Sequence, residues 1–153
     1  MNEYMKEAKR NAEDGIDRND GGPFGAVVVD NNGDIVGSGN NRVIVDKDPT
    51  AHAEMVAIRE ACKNLNTYDL SNCTLYTTCE PCPMCLSATI WSNIKKVYYG
   101  ATRNDAALLG FRDQKIYDFI RGAEFKTLQL NQLSREECLK IFRKYREYKG
   151  IIY

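Results

Sequence analysis

One histidine, one glutamate and two cysteines are spaced so that they could build a metal centre. His52 and Glu54 are separated by one residue, and Cys82 and Cys85 lie in the segment PCPMC at 81–85. His52 is the only histidine in the chain. An imidazole and two thiolates suit zinc, and three protein ligands leave one tetrahedral position open. Because an open position is typical of catalytic zinc, the pattern predicts a metal that activates water.

Glu54 is placed to move protons beside such a metal. A zinc-bound water has a pKa of ~7, so hydroxide forms at neutral pH. Hydrolytic loss of an amino group takes a proton from water and delivers protons to a ring nitrogen and to the departing amine. One carboxylate near the metal can carry these protons without being a ligand. The order H-x-E followed by P-C-x-x-C is typical of nucleobase deaminases, so deamination is the expected chemistry.

Two other interpretations of the cysteines stay open. A C-x-x-C pair in a cytosolic protein can be a redox pair, although that chemistry does not need the flanking prolines or the upstream H-x-E. Cys79 could instead supply a fourth thiolate, which would close the zinc site and make it structural. The other three cysteines are expected to be small buried apolar residues: Cys62, Cys73 and Cys138.

The composition describes a chain of ordinary domain size with balanced charge. Lys plus Arg and Asp plus Glu number 21 each, so the formal net charge is zero. This balance argues against nucleic acid as the main partner. Six cysteines fit reduced thiols in the cytoplasm, and we expect neither a signal peptide nor a membrane-spanning segment. We therefore expect one cytoplasmic domain over residues 1–153 with no membrane partner.

Alternating strand and helix patterns predict the elements that position the site. Strands are expected over 26–29, 35–45, 73–78 and 96–100, with a possible fifth over 124–130. Helices are expected over 3–14, 51–65, 82–91 and 114–121, with a loop and short helix over 102–115. A capping box at Ser134–Glu137 predicts a further helix. The alternation favours an α/β fold, a three-layer α/β/α sandwich around a mixed sheet of about five strands.

In this layout the expected ligands lie in the first turns of two helices. Helix N-termini carry partial positive charge and free N–H groups, which favour thiolate over thiol. Cys82 and Cys85, three residues apart, would lie on one face of their helix.

From the segment 21–25 onwards, the chain resembles the zinc-dependent cytidine deaminase superfamily. The likeness rests on DPTAHAE at 48–54 and CEPCPMC at 79–85, which guanine deaminases of this fold share with tRNA adenosine deaminases. Further residues resemble the guanine deaminase branch, namely Asp105-Ala106-Ala107, Gly110-Phe111, Asp113 and a C-terminal tyrosine. The resemblance implies a cytidine deaminase-like fold and hydrolysis of guanine to xanthine and ammonia, in purine catabolism or salvage.

The resemblance also implies a role for each site residue. His52, Cys82 and Cys85 would bind one Zn²⁺ per chain, and Glu54 would shuttle protons. A second group would contact or enclose the purine: Asn41, the backbone of Ala53, Asp113, Tyr153, Phe24 and Trp91. Structural roles remain open, since an asparagine can simply hold its loop and aromatic residues can belong to the core.

The sequence also leaves other substrates open. The alternatives are a tRNA-specific adenosine deaminase, with the basic residues of 143–149 near RNA, and a deaminase of cytosine, another aminopurine or a pterin.

The end Ile151-Ile152-Tyr153 is apolar for a free tail. The resemblance to guanine deaminases implies that residues 132–153 cross to the partner in a homodimer and close its pocket, an exchange that is a low-cost route to a symmetric dimer.

Overall fold

The computed structural model describes all 153 residues and contains one four-stranded mixed sheet. Its strands are β1 Gly25–Val29, β2 Ile35–Asn40, β3 Thr74–Cys79 and β4 Lys96–Ala101, in the order β2-β1-β3-β4. β1 pairs antiparallel with β2 and β3, whereas β3 and β4 are parallel. The turn at Asn31-Asn32-Gly33 joins the antiparallel pair, as the sequence predicted, and a helical crossover joins the parallel pair.

Seven helices accompany the sheet. They are α1 Glu3–Asp17, α2 Val43–Asp46, α3 Ala53–Leu65, α4 Pro83–Trp91, α5 Arg103–Leu108, α6 Asp113–Ile120 and α7 Arg135–Glu147. The chain divides into two compact units, residues 1–117 and 118–153. No helix combines the length and the apolar character that a membrane-spanning segment requires.

Helices pack on both faces of the sheet, which gives the expected three-layer α/β architecture. On β1, a Cβ atom at Gly25 would lie 2.0 Å from the carbonyl oxygen of Ala8 in α1. The alternate residues Ala26 and Val28 face the other way, into the core built with α3. Since side chains alternate across a strand, α1 and α3 lie on opposite faces.

Small residues bring α3 unusually close to β2. A Cβ atom at Gly37 would lie 2.1 Å from the carbonyl oxygen of Ala57, and one at Gly39 would lie 2.6 Å from that of Ala53. The facing stripe of α3 is equally small, because Ala53 and Ala57 are completely buried. Close backbone packing therefore fixes the first turn of α3, which carries two of the predicted site residues.

The second unit contains the end of α6 and the whole of α7. Exposed apolar side chains on α7 include Ile141, Phe142 and Tyr145. The Tyr145 hydroxyl donates a hydrogen bond to the carbonyl oxygen of Ile151 at 2.6 Å. Gly150 also packs on the tyrosine ring, since a Cβ atom there would lie 2.1 Å from it. The last residues therefore fold back onto α7.

Two predicted features of this second unit were wrong. No strand forms over 124–130, and the sheet has four strands instead of about five. The Glu124 carboxylate accepts the N–H groups of Lys126 and Thr127, which turns the backbone away from an extended course. Ser134 precedes α7 but makes no capping bond, because its φ of 54° departs from the extended geometry that a capping side chain needs.

The returning strand was predicted too long. It ends at Asn40 instead of continuing to about residue 45, and α2 follows. The carbonyl oxygen of Asp20 accepts the N–H groups of both Ile44 and Val45, so these groups cannot pair with a neighbouring strand. This turn carries Asn41 to the edge of the pocket described below.

Candidate metal centre and binding pocket

Two helix N-termini bring the predicted metal ligands together. His52 is the N-cap residue of α3, Cys82 is the N-cap residue of α4, and Cys85 lies in the first turn of α4. The Nδ1 atom of His52 lies 3.5 Å from Sγ of Cys82 and 3.6 Å from Sγ of Cys85. All three ligand atoms lie within 4.8 Å of one another. The ligand set expected from the sequence is thus assembled in one place.

These distances suit tetrahedral zinc. Bond lengths of ~2.0–2.1 Å to nitrogen and ~2.3 Å to sulfur, at the tetrahedral angle, place the two ligand atoms about 3.6 Å apart. The two separations from His52 Nδ1 are 3.5 and 3.6 Å. One nitrogen and two sulfur donors also match the preference of zinc for imidazole and thiolate. The site therefore fits one Zn²⁺ per chain.

The electrostatics of the ligands favour a cation. A hydrogen bond from the Cys85 thiol, helped by His52, lowers the pKa of Cys82 to about 4 despite burial. The Cys82 thiolate in turn raises the pKa of Cys85 and that of His52. A metal ion needs both cysteines as thiolates, so its binding would release the proton that the raised pKa keeps on Cys85.

Cys79 does not complete the metal site. Its thiol, at the end of β3, contacts the carbonyl oxygen of Thr102 at 3.6 Å. Burial raises the pKa of Cys79 to about 11, so this side chain stays protonated at neutral pH. Cys79 is also absent from the group of residues that could hold a metal. The closed structural site with Cys79 as a fourth ligand is therefore not the arrangement observed.

Glu54 lies beside the ligands without joining them. It is the second residue of α3 and its side chain is only 6% exposed. Its Oε1 atom accepts a hydrogen bond from the Thr77 hydroxyl at 3.2 Å. Burial raises the pKa of Glu54, so this carboxylate binds a proton more readily than an exposed one. A carboxyl group with raised proton affinity beside a metal site suits proton transfer.

A pocket of about 420 Å³ opens onto these groups. This volume is within the ~300–1,000 Å³ typical of small-molecule sites. His52, Glu54, Cys79 and Cys82 form part of its lining. The remaining wall comes from loops and from the short helices α2, α5 and α6: Gly22, Phe24, Asn41, Val43, Ile44, Pro49, Glu80, Ala106, Phe111, Arg112 and Asp113. The open side of the three-ligand centre can therefore be reached by a small molecule.

Asn41 is buried in this wall with its amide orientation fixed. Its Oδ1 atom accepts hydrogen bonds from the N–H groups of Gly22 at 3.2 Å and Val43 at 3.1 Å. The amino group is then the part of the side chain that can donate to a ligand. Gly21 makes this arrangement possible, because a Cβ atom there would lie 2.1 Å from Oδ1. Asn41 thus both holds its loop and offers a donor.

Two more predicted residues reach the pocket. Phe24 lines it and meets Phe111 edge to face, with ring centroids 4.9 Å apart. Asp113 lines it from the first turn of α6. Burial, reinforced by the negative Cys82, raises the pKa of Asp113. One aromatic edge and one carboxylate therefore belong to the same cavity.

The structure places the other three predicted residues differently. Ala53 is completely buried as the first residue of α3, directly between His52 and Glu54. Trp91 is 66% exposed at the far end of α4, about 12 Å along the helix axis from the ligand end. It therefore does not wall the pocket of its own chain. Tyr153 belongs to the second unit, and its role stays a prediction.

Phe111 and Thr77 contribute to the site although neither was predicted as a site residue. Phe111 was noted only as part of a resemblance, and nothing in its spacing indicated a pocket. The position of Thr77 gave a weak indication that it has a polar partner in the site. Along β3, Leu75, Thr77 and Cys79 are all buried, so a hydroxyl occupies the middle of an otherwise apolar row. Such a group requires a polar partner nearby.

Comparison with known proteins gives the same family as the site geometry. Residues 1–101 match the cytidine and deoxycytidylate deaminase zinc-binding region. The chain is 47% identical to guanine deaminase of Bacillus subtilis over 95% of its length and 93% of that protein. It is 41% identical to a tRNA-specific adenosine deaminase of Haemophilus influenzae, over 84% of this chain and 76% of that one.

A solved structure extends the likeness to the fold. The crystal structure of Bacillus subtilis guanine deaminase superposes with a TM-score of 0.88 at 46% identity, covering 96% of this chain and 95% of that one. The two proteins therefore share a fold over almost their entire length. The chain belongs to the family of zinc-binding cytidine and deoxycytidylate deaminases.

Proposed function

We propose that this protein is a zinc-dependent guanine deaminase that hydrolyses guanine to xanthine and ammonia. The observation that carries the proposal is a three-ligand centre, His52, Cys82 and Cys85, open to a base-sized pocket beside Glu54. The substrate rests on similarity to a guanine deaminase over almost the entire chain. A purine base would be the small-molecule partner, and the cytoplasm the site of action.

The chain's own residues supply the proton chemistry. Zn²⁺ held by His52, Cys82 and Cys85 would lower the pKa of a bound water to ~7. Glu54 takes a proton from the attacking water and delivers it to N3 of the purine. The same carboxylate then takes the remaining proton of the hydroxyl group now on C2 and passes it to the amino group, which leaves as ammonia while C2 becomes a carbonyl. Its burial shields these transfers from bulk water.

The polar groups of the pocket suit the edge of free guanine. The Asn41 amino group can donate to an acceptor such as O6 or N7 of a purine. The Asp113 carboxylate can accept from a ring N–H. Guanine carries N–H at N1, whereas N1 of adenine is an acceptor. Phe24 and Phe111 supply an apolar surface for the ring.

The charges around the pocket disfavour the tRNA alternative. Beyond the metal ligands and Glu54, the acidic and basic side chains that line it are Glu80, Arg112 and Asp113. Two carboxylates and one guanidinium would repel rather than gather the phosphates that flank a flipped nucleotide. The balanced charge of the entire chain points the same way. Similarity to tRNA-specific adenosine deaminases nevertheless makes this the alternative to test.

A substrate panel tests the proposal. Zinc-loaded protein should release ammonia from free guanine, and the rate should depend weakly on salt because no phosphate is bound. Cytosine, a pterin, adenosine and a tRNA anticodon stem should react far more slowly or not at all. Each arm is run beside Glu54→Gln to subtract unrelated activity. Inosine formation in the stem with guanine untouched would replace this proposal with tRNA editing.

Gly21→Ala should weaken guanine binding by moving Asn41. The new Cβ atom would lie 2.1 Å from Oδ1, so the amide must leave the position fixed by Gly22 and Val43. Loss of one ligand hydrogen bond should raise KM about tenfold. Steady-state kinetics measure this, with Asn41→Ala as the reference. If Gly21→Ala acts by displacing the Asn41 amide, the KM of the double variant should be no higher than that of Asn41→Ala. Additive increases in KM would mean that Gly21 acts separately from Asn41.

We further propose that the protein is a homodimer in which residues 132–153 cross to the partner subunit. The exposed apolar residues of α7 and of the tail support this proposal, because such surface is unfavourable in water. Tyr153 of one chain would then reach the purine bound by the other. An exchanged terminal segment is a low-cost route to a symmetric dimer.

Deletion of residues 150–153 should raise KM or lower kcat while the domain stays folded and zinc stays bound. The sharper test mixes the truncated chain with full-length Glu54→Gln, after unfolding and refolding together. Heterodimers would combine an intact Glu54 with a borrowed tail, so activity should return. Mass spectrometry of the intact dimers controls for subunit mixing. Mixed dimers without recovered activity would rule out an exchanged catalytic tail.

A further inference from the structure

Thr77 is a completely buried polar residue that the proton chemistry above does not use. It lies in the middle of β3, a central strand that pairs with β1 on one side and β4 on the other. Its relative exposure is 0%. On the same face of the strand, Leu75 belongs to the apolar core packed against α3. A valine would fill this position without the cost of burying a hydroxyl, so the hydroxyl needs an explanation.

The buried hydroxyl of Thr77 is explained by its hydrogen-bond partner, Glu54. Thr77 Oγ1 donates a hydrogen bond to Oε1 of Glu54 at 3.2 Å, inside the protein. The bond joins the sheet to the first turn of α3, two elements already held rigid by the close packing of Gly37 and Gly39 on this helix. A donor on a rigid strand can fix a carboxylate within a fraction of an ångström.

We infer that Thr77 is a positioning residue that holds Oε1 of Glu54 and thereby leaves Oε2 to carry the proton. The inference rests on the proposed deaminase function of the site. A cysteine that binds zinc has lost its proton and cannot donate a hydrogen bond, whereas the Thr77 hydroxyl remains a donor to this carboxylate.

A hydroxyl suits this position better than a fixed N–H donor. Glu54 alternates between carboxylate and carboxylic acid during the reaction. A threonine hydroxyl can rotate to donate to the first form and to accept from the second. The contact between Thr77 and Glu54 can therefore persist through every proton transfer, and the carboxyl group keeps its direction.

Thr77→Val tests the inference, because valine has nearly the same shape and no hydroxyl. We expect kcat for guanine to fall about ten- to hundred-fold, the effect of removing one hydrogen bond to a charged group, with KM and zinc content unchanged. Thr77→Ser restores the hydroxyl and should recover most of kcat. Equal kcat in Thr77→Val and the wild type would overturn the inference, as would a Thr77→Ser variant no better than Thr77→Val.

Thr78→Val is the matched control. Thr78 is the next residue of β3, and its hydroxyl accepts a hydrogen bond from the N–H of Gly25 at 3.1 Å instead of contacting Glu54. The same substitution there removes one hydrogen bond from the same strand and should keep the wild-type kcat. A loss of kcat equal to that of Thr77→Val would mean that the strand, and not Glu54, responds to the change.

An infrared measurement separates this inference from the choice of substrate. The carboxylate band of Glu54 is the one that disappears in Glu54→Gln, with no substrate present. This band should shift in Thr77→Val and return in Thr77→Ser, whichever base the enzyme deaminates. An unshifted band would refute the role of Thr77. A shifted band in a protein that leaves guanine intact would support the contact and count against guanine as the substrate.

Discussion

Glu54→Gln should lower kcat for guanine by more than the ~10²–10⁴-fold typical of general acid–base catalysis. Glutamine keeps the shape of the side chain and its contact with Thr77 but cannot carry a proton. Because one carboxylate would serve every proton transfer of the reaction, its loss affects several steps at once. The three metal ligands are untouched, so zinc content should equal that of the wild type. Single-turnover kinetics and elemental analysis measure the two quantities.

Glu60→Gln is the control for this result. Glu60 lies on the same helix, α3, but its carboxylate accepts the N–H of Ser38 on an exposed surface. The identical change there should leave kcat unaltered. A Glu54→Gln enzyme with nearly normal turnover would show that Glu54 has only a structural role. Loss of zinc in this variant would instead show that the carboxylate helps to hold the metal.

Cys85→Ala should remove both the metal and the activity. The wild type should contain about one zinc per chain, and a site reduced to His52 and Cys82 should lose it on dialysis. Cys85 is completely buried at the first turn of α4, and alanine there supplies no ligand atom. Elemental analysis and guanine turnover measure the outcome.

Cys138→Ala serves as the cysteine control, because Cys138 is exposed on α7, contrary to the expectation that it is buried. It should keep full zinc content and full activity. Zinc retained by Cys85→Ala at the wild-type level would mean that the metal lies elsewhere. Full turnover by wild-type protein from which a chelator has removed all metal would exclude zinc chemistry altogether.

The metal ligands could be predicted from the sequence because their placement is governed by local rules. Residues flanking a helix start, and residues three apart within its first turn, have nearly fixed relative positions. Proline at the first position of α4 identifies that start, with Cys82 just before it. The two helix starts then meet at one edge of the sheet because helices follow strands in alternation, a pattern that predicts an α/β fold.

The polar wall of the pocket depended on contacts that no local pattern encodes. The orientation of Asn41 results from N–H groups on both sides of it in sequence, including Gly22, nineteen residues away. The contact between Phe24 and Phe111 joins residues from opposite ends of the first unit. Neither spacing nor periodicity carries such pairings. Resemblance to a known family located Asn41, Phe24 and Asp113, whereas Phe111 was not assigned to the pocket.

The predicted fifth strand failed for a related reason. Residues 124–130 have suitable strand formers, but strand propensity reflects packing on a sheet more than an intrinsic backbone preference. Here the Glu124 side chain offers nearby N–H groups a local partner, and the segment turns instead. Trp91 was expected from the resemblance to wall the pocket. It lies instead at the far end of α4, away from the ligands.

Running the guanine assay of the substrate panel in ¹⁸O-labelled water tests the central claim most directly. Zinc-loaded wild-type protein should convert guanine to equal amounts of ammonia and xanthine, and mass spectrometry should find one labelled oxygen at C2 of the xanthine. Glu54→Gln should form almost none. Xanthine without the label would contradict hydrolysis by water, and intact guanine under these conditions would contradict guanine deamination itself.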